Sequence, residues 1–163
     1  MIILIIGSGV INMNNKLNPI DVSKYIINYL NKKSYPVNHL KLQKLLYYIE
    51  AWYTVFTGSN LFEEQIEAWQ HGPVIRKVWD YFKNQSILYD NLRISNGFDL
   101  KATKEQIEII NDVLDEYGDK TGYYLETLTH SEEPWKVARK KNKCIDKNTM
   151  KQFYSSRLYA KKS

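Results

Sequence analysis

Between Asn38 and Gly58 the apolar residues Leu42, Leu45, Leu46, Ile49, Trp52, Tyr53 and Phe56 recur at spacings of three and four. That period belongs to a helix rather than a strand. Asn38 supplies a cap and Gly58 a stop, so the spacing predicts one long helix as the spine of the core. Asn18-Pro19 starts an earlier helix with Ile26, Ile27 and Leu30 on its inner stripe, ending near Lys33. Thr103-Lys104-Glu105-Gln106 matches a capping box ahead of Ile107, Ile110, Leu114 and Tyr117, stopped by Gly118. Short helices are expected over 123–128 and 134–141, with a last one capped by Asp146 and bearing Met150, Phe153, Tyr154 and Leu158. Residues 66–69 alternate as a short strand. Pro73 fits the first position of a further helix carrying Val74, Val78, Tyr81 and Phe82. Residues 84–101 read as a loop with a short strand around 92–94. The expected fold is mainly α: a single compact multi-helix domain with at most a small β-hairpin.

A chain of 163 residues can bury one core without staples, and 44% hydrophobic content with this periodicity argues against disorder. Most of the 13 Tyr and 4 Trp fall on helical faces, where core packing is their ordinary use; exposed ones favour a protein-binding surface. A net charge of +5 and a pI near 9.1 admit nucleic acid or an acidic protein as partner. Nucleic acid is not favoured, because the lysines are scattered and the basic runs (Arg139-Lys140-Lys141 with Lys143, and Lys161-Lys162) are short. The lone Cys144 forms no internal disulfide, which suits a reducing cytoplasm.

The run Met1-Ile2-Ile3-Leu4-Ile5-Ile6-Gly7-Ser8-Gly9 is no dinucleotide fingerprint: Asn12 stands where the third glycine belongs, and no βαβ text follows. It is too short to span a membrane, and it lacks the basic flank and small-residue site of a signal peptide. Met13 is the expected start of translation. Gly9-Val10 can be encoded by GGA-GTN, which holds a ribosome-binding GGAG, and abundant Asn, Lys, Ile and Tyr fit an AT-rich bacterial genome. An intact residue 1 in the mass spectrum of the native protein would overturn this.

The chemistry-bearing residues are sparse. His39, His71 and His130 lie far apart, and no H-E-x-x-H, C-x-x-C or phosphate-loop pattern occurs, so neither a metal nor a cofactor is expected. Thr129-His130-Ser131-Glu132 sets a hydroxyl beside a base, but neighbours on a helix or turn point apart, and no catalytic residue is expected. Gly72 is expected to make a sharp turn, with Pro73 preorganising the helix behind it. Thr129 or Ser131 is expected to cap the helix at Pro134-Trp135, with Glu132 and Glu133 favoured by its dipole. Trp69 and Trp135 are expected to pack near one another; if both are buried, Trp69→Ala or Trp135→Ala should cost roughly 3–5 kcal/mol.

Lys41-Leu42-Gln43-Lys44-Leu45-Leu46-Tyr47-Tyr48, Trp52-Tyr53, Gly58, Leu61-Phe62 and Glu67-Ala68-Trp69-Gln70-His71-Gly72-Pro73-Val74 together resemble the Panacea domain of the SocA-like antitoxins and phage-associated proteins. Tyr117-Gly118, Leu125, Leu128-Thr129-His130, Pro134-Trp135, Ala138 and Phe153 are similar to the later part of the same domain. The resemblance covers 20–158, leaving 1–19 as an extension and 159–163 as a basic tail. It implies an antitoxin that neutralises a cognate protein toxin by direct binding, with delivery of the toxin to the ClpXP protease as one route. It implies no enzyme, no cofactor and no membrane. Its motif positions are Lys41, Leu42, Lys44, Leu45, Tyr47, Trp52, Trp69, His71, Gly72, Pro73, Val74, Thr129, His130, Pro134 and Trp135, expected to hold the fold or a shared groove. His71 stands where the family commonly has Tyr or Phe, so the resemblance assigns its side chain no ionic role. Residues 1–19 leave no room for the separate DNA-binding domain some members carry. A mobile-element regulator that binds nucleic acid is the alternative reading.

Overall fold

The computed structural model describes residues 15–85, 89–141 and 143–160. The N-terminal apolar run, the Met13 start and the terminal lysines lie outside these residues.

The long helix is present as α2 (His39–Thr57). Asn38 accepts the Lys41 N–H at 2.9 Å, and Gly58 ends the helix at φ +76°, a left-handed turn that glycine enters without a Cβ penalty. The apolar stripe predicts one buried face, yet His39 and every residue from 41 to 54 are buried. Neighbours account for this. The helices α1 (Pro19–Lys32), α3 (Arg76–Phe82), α4 (Lys104–Tyr117), α5 (Gly122–Ser131) and α7 (Lys147–Ala160) all pack against α2.

A helix covered all round must satisfy its polar side chains inside. Glu50 is fully buried; its carboxylate accepts the Phe62 N–H at 2.9 Å and the Leu61 N–H at 3.2 Å, and the Lys147 ammonium stands 3.4 Å away. The Gln43 amide accepts the Ile75 N–H at 2.8 Å and donates back to the Ile75 carbonyl at 3.4 Å. Lys41 donates to the carbonyls of Pro36 at 3.0 Å and Gly118 at 2.6 Å. The polar residues of α2 thus tie down the chain on both sides of it.

The strands β1 (Ile66–Trp69) and β2 (Gly72–Val74) form an antiparallel hairpin pairing Trp69 with Gly72 and Ala68 with Pro73. A two-residue strand, β3 (Cys144–Ile145), pairs antiparallel on the other edge of β1, giving the order β2-β1-β3. With α6 (Glu133–Lys140), this makes a mainly α fold of seven helices and one small sheet among the described residues.

Two local expectations need correction. Pro73 does not open a helix: it lies within β2, and α3 starts at Arg76. β2 is an edge strand, where a residue without an N–H is tolerated. Residues 92–94 form no strand; Leu92 instead accepts from the Asn31 side chain and donates its N–H to the Val37 carbonyl, both at 2.8 Å.

Candidate functional site

The hairpin turn brings the motif residues together. Its inner side meets Lys44 of α2, and its outer side meets α5 and α6. Gly72 takes φ +109°, and a Cβ there would lie 2.4 Å from Lys44 Cε, so the backbone approaches the lysine stem more closely than any side-chain-bearing residue allows. Trp135 Nε1–H donates to the Trp69 carbonyl at 2.9 Å, and Arg139 donates to the neighbouring Ala68 carbonyl at 3.0 Å. The expected Trp69–Trp135 meeting is therefore real, but through a backbone carbonyl. The rings themselves go elsewhere. Trp69 packs its edge against Trp79 and lies under the Arg76 guanidinium, while Trp135 stacks on His130 with ring centroids 3.9 Å apart.

His71 Nδ1 lies 2.9 Å from Glu126 Oε1. The contact is a hydrogen bond between α5 and the hairpin turn, and an ion pair only when the imidazole is protonated. Thr129 and Ser131 do not cap α6. Both belong to α5, and their hydroxyls donate to the carbonyls of Glu126 at 2.9 Å and Leu128 at 2.7 Å. Pro134 is buried in the first turn of α6, where its missing N–H costs nothing. Val74 and Leu42, Leu45 and Tyr47 are core residues.

Two buried nitrogens in this cluster have no hydrogen-bond partner among the described residues: Lys44 Nζ and His130 Nε2. Burial pushes the Lys44 ammonium down to about 8, against the pull of Glu126. Burial also lowers His130; Glu126 and a bond to the Gln70 backbone oppose this, and the charges of Lys44 and His71 add to it. The imidazole is thereby held toward its neutral form.

Lys44 gives a prediction of definite sign. Its ordinary value of 10.5 falls to about 8 on folding, so between these values the unfolded chain holds the extra proton and stability rises with pH. Below pH 8 the cost is fully present. Lys44→Met should therefore raise stability at pH 7 by about 1–3 kcal/mol. It should also reduce the upward slope above pH 8, leaving the share of Lys41, which burial likewise lowers to about 8. Urea midpoints at successive pH values, stopping before tyrosines ionise in the unfolded chain, test this.

Trp69 and Trp135 are only partly buried, so the condition for a loss of 3–5 kcal/mol is not met. Trp135→Ala should cost about 2 kcal/mol through the lost stacking and the orphaned Trp69 carbonyl. A fall in urea midpoint at unchanged slope is the expected readout.

A second cluster lies one turn further along α2, where Tyr48 follows Lys44 by four residues, and spacing alone did not reveal it. Glu132, joining α5 to α6, turns its carboxylate into a group of tyrosines. Its Oε1 accepts from Tyr48 at 2.6 Å and Tyr154 at 3.0 Å. Tyr154 OH also stands 3.0 Å from Tyr47 OH. Holding one proton, Tyr154 gives it to the carboxylate and accepts from Tyr47. Tyr48 stacks on Tyr117 at 4.3 Å, and Tyr117 OH accepts from Trp52 Nε1 at 3.0 Å. Burial raises Glu132 above the usual carboxylate range, the Tyr48 and Tyr154 hydroxyls and Arg157 opposing it. Beside this group opens a cavity of about 380 Å³ lined by Trp52, Tyr117, Tyr124, Leu128, Glu132 and Tyr154 among others.

The family model described as antitoxin SocA-like, Panacea domain, matches residues 42–136. The chain belongs to the SocA-like Panacea family. No curated protein and no solved structure matches it. The Panacea span begins in α2 and ends in α6, so it contains the Lys44–Gly72–His130–Trp135 cluster and most of the cavity wall, while α1 and α7 stand outside it. Membership supports an antitoxin-type role. Among the described residues no group of three or more His, Cys, Asp or Glu side chains is placed to hold a metal, and no helix is long and apolar enough to cross a membrane.

Proposed function

We propose that this protein is the antitoxin of a toxin–antitoxin pair and neutralises one cognate protein toxin by direct binding, without turnover. Family membership over 42–136 is the observation that carries this reading. The surface chemistry agrees with it. Tyr123 and Tyr124 at the start of α5 are 80% and 49% exposed, and Tyr124 lines the aromatic cavity. Exposed tyrosines offer large contact area at low entropic cost, which is what a protein-binding face needs. Some of the lysines are engaged within the protein: Lys33, Lys77, Lys83, Lys120 and Lys147 each pair with a carboxylate.

In this reading residues 20–158 carry the activity in the cytoplasm, the motif residues hold the fold and a shared groove, and the remaining exposed surface selects the toxin. Delivery to the ClpXP protease is the finer variant. The test is co-expression of residues 13–163 with each adjacent gene product, scoring growth and complex formation together. Rescue with a stable complex supports occupation of the toxin; rescue that needs ClpXP and removes the toxin supports the adaptor route. No toxic neighbour and no complex, together with salt-dependent DNA binding, would replace the antitoxin by a nucleic-acid-binding regulator.

A further inference from the structure

The aromatic cavity carries a charge arrangement that the antitoxin reading does not use. Its inner acid, Glu132, has both of its hydrogen bonds on Oε1, and Oε2 has none among the described residues. The two tyrosine hydroxyls fix the carboxylate in place. Arg157 also lines the cavity, yet its guanidinium lies over the Phe153 ring at 4.9 Å and makes no salt bridge to Glu132 among the described residues. Tyr117 spends one ring face on Tyr48 and lines the cavity, facing a wall that includes Trp52 and the half-exposed Tyr124. A fixed carboxylate among aromatic rings is the arrangement that recognises an organic cation, the rings attracting it through their quadrupoles and the acid through charge-assisted hydrogen bonds. A volume of about 380 Å³ suits one long side chain and its flanks rather than a large cofactor. Nearer the rim stand two bases, Lys120, paired with Asp119 at 2.9 Å, and the exposed Arg157. The whole chain carries a net charge of +5. An acidic partner is therefore drawn toward the protein, while the cavity itself asks for a base.

We propose that this cavity receives an arginine or lysine side chain from an acidic segment of the partner polypeptide, Glu132 and the aromatic walls holding the cation while Lys120 and Arg157 meet its acidic flanks. The proposal rests on the antitoxin reading for the identity of the partner. Its ligand chemistry can be tested without that partner.

The probe is the peptide acetyl-Asp-Arg-Asp-amide, titrated into the full chain while the Trp52 indole N–H is followed by NMR. Acetyl-Asp-norleucine-Asp-amide is the neutral control. The arginine peptide is expected to shift the indole signal saturably, with the norleucine peptide at least tenfold weaker. Glu132→Gln keeps an acceptor for Tyr48 and Tyr154, so it should stay folded by near-ultraviolet circular dichroism and lose at least tenfold in arginine-peptide affinity. Tyr124→Ala, at an exposed position, provides a second variant expected to weaken binding in a folded protein. Equal binding of the two peptides, no indole shift, or an unaffected pair of variants overturns the proposal. Growth rescue that survives such a result leaves the antitoxin reading standing. Peptide binding without any toxic neighbour removes that reading and leaves the cavity's preference for a cation.

Discussion

Glu50→Ala is expected to cost about 3–5 kcal/mol, a large share of the stability of a domain this size. The carboxylate is fully buried in the middle of α2 and is the acceptor for two consecutive backbone N–H groups, of Leu61 and Phe62. Alanine would strand both amides in the core and leave the Lys147 ammonium without its nearest anion. Lys147 would retain the Phe62 carbonyl at 2.7 Å, which limits the loss. Burial holds the Glu50 carboxyl above its ordinary range even with Lys147 and the two amides pulling it down. The acceptor therefore matters more than the charge. Glu50→Gln keeps an oxygen and discards the charge, so it should cost well under half as much as alanine. Urea denaturation of both variants checks this; equal losses would mean that the ion pair, not the amides, is what Glu50 supplies.

Gly72→Ala should cost about 3–5 kcal/mol as well, from two separable sources. The backbone at φ +109° is strained for any residue with a Cβ, contributing about 1–3 kcal/mol. The added methyl would also overlap Lys44 Cε, which is fully buried and cannot swing into solvent, contributing about 1–3 kcal/mol more. A double-mutant cycle separates them. In the Lys44→Ala background the steric part disappears and the backbone part remains, so Gly72→Ala should cost about 1–3 kcal/mol there. The same cost in both backgrounds would show that the lysine stem yields without penalty.

The helices were legible because their signals are local. Asn18, Asn38, Thr103 and Asp146 each accept the backbone N–H expected of a cap, and Thr103 with Gln106 completes the capping box. The period of three and four around Leu42 located α2 but underestimated its burial, since burial of the far face depends on elements far along the chain. Pro73 was misread because Gly-Pro before an apolar stretch has the same local chemistry whether it opens a helix or closes an edge-strand hairpin. β3 has two residues, too few to show alternation. At the candidate site, the motif residues Lys44, Gly72, His130 and Trp135 do converge. The meeting of Glu132 with Tyr48 and Tyr154 left no trace in spacing, because 84 and 22 residues separate the partners. Thr129 and Ser131 were assigned to a cap because α5 was expected to end at residue 128, whereas it runs on to Ser131.

The enclosure of α2 also sets the order in which this protein can become itself. The helix leaves the ribosome early, carrying Tyr47, Tyr48 and Trp52, but the surface that covers them is completed by α4, α5 and finally α7, whose Tyr154 closes the hydroxyl chain from Tyr47 to Glu132. Until the last helix is made, a sticky aromatic flank remains open to chaperones and proteases. Cover for these aromatics therefore waits on α7, and a fragment that stops short of Tyr154 is expected to leave the Tyr47 hydroxyl and the Glu132 carboxylate without that partner.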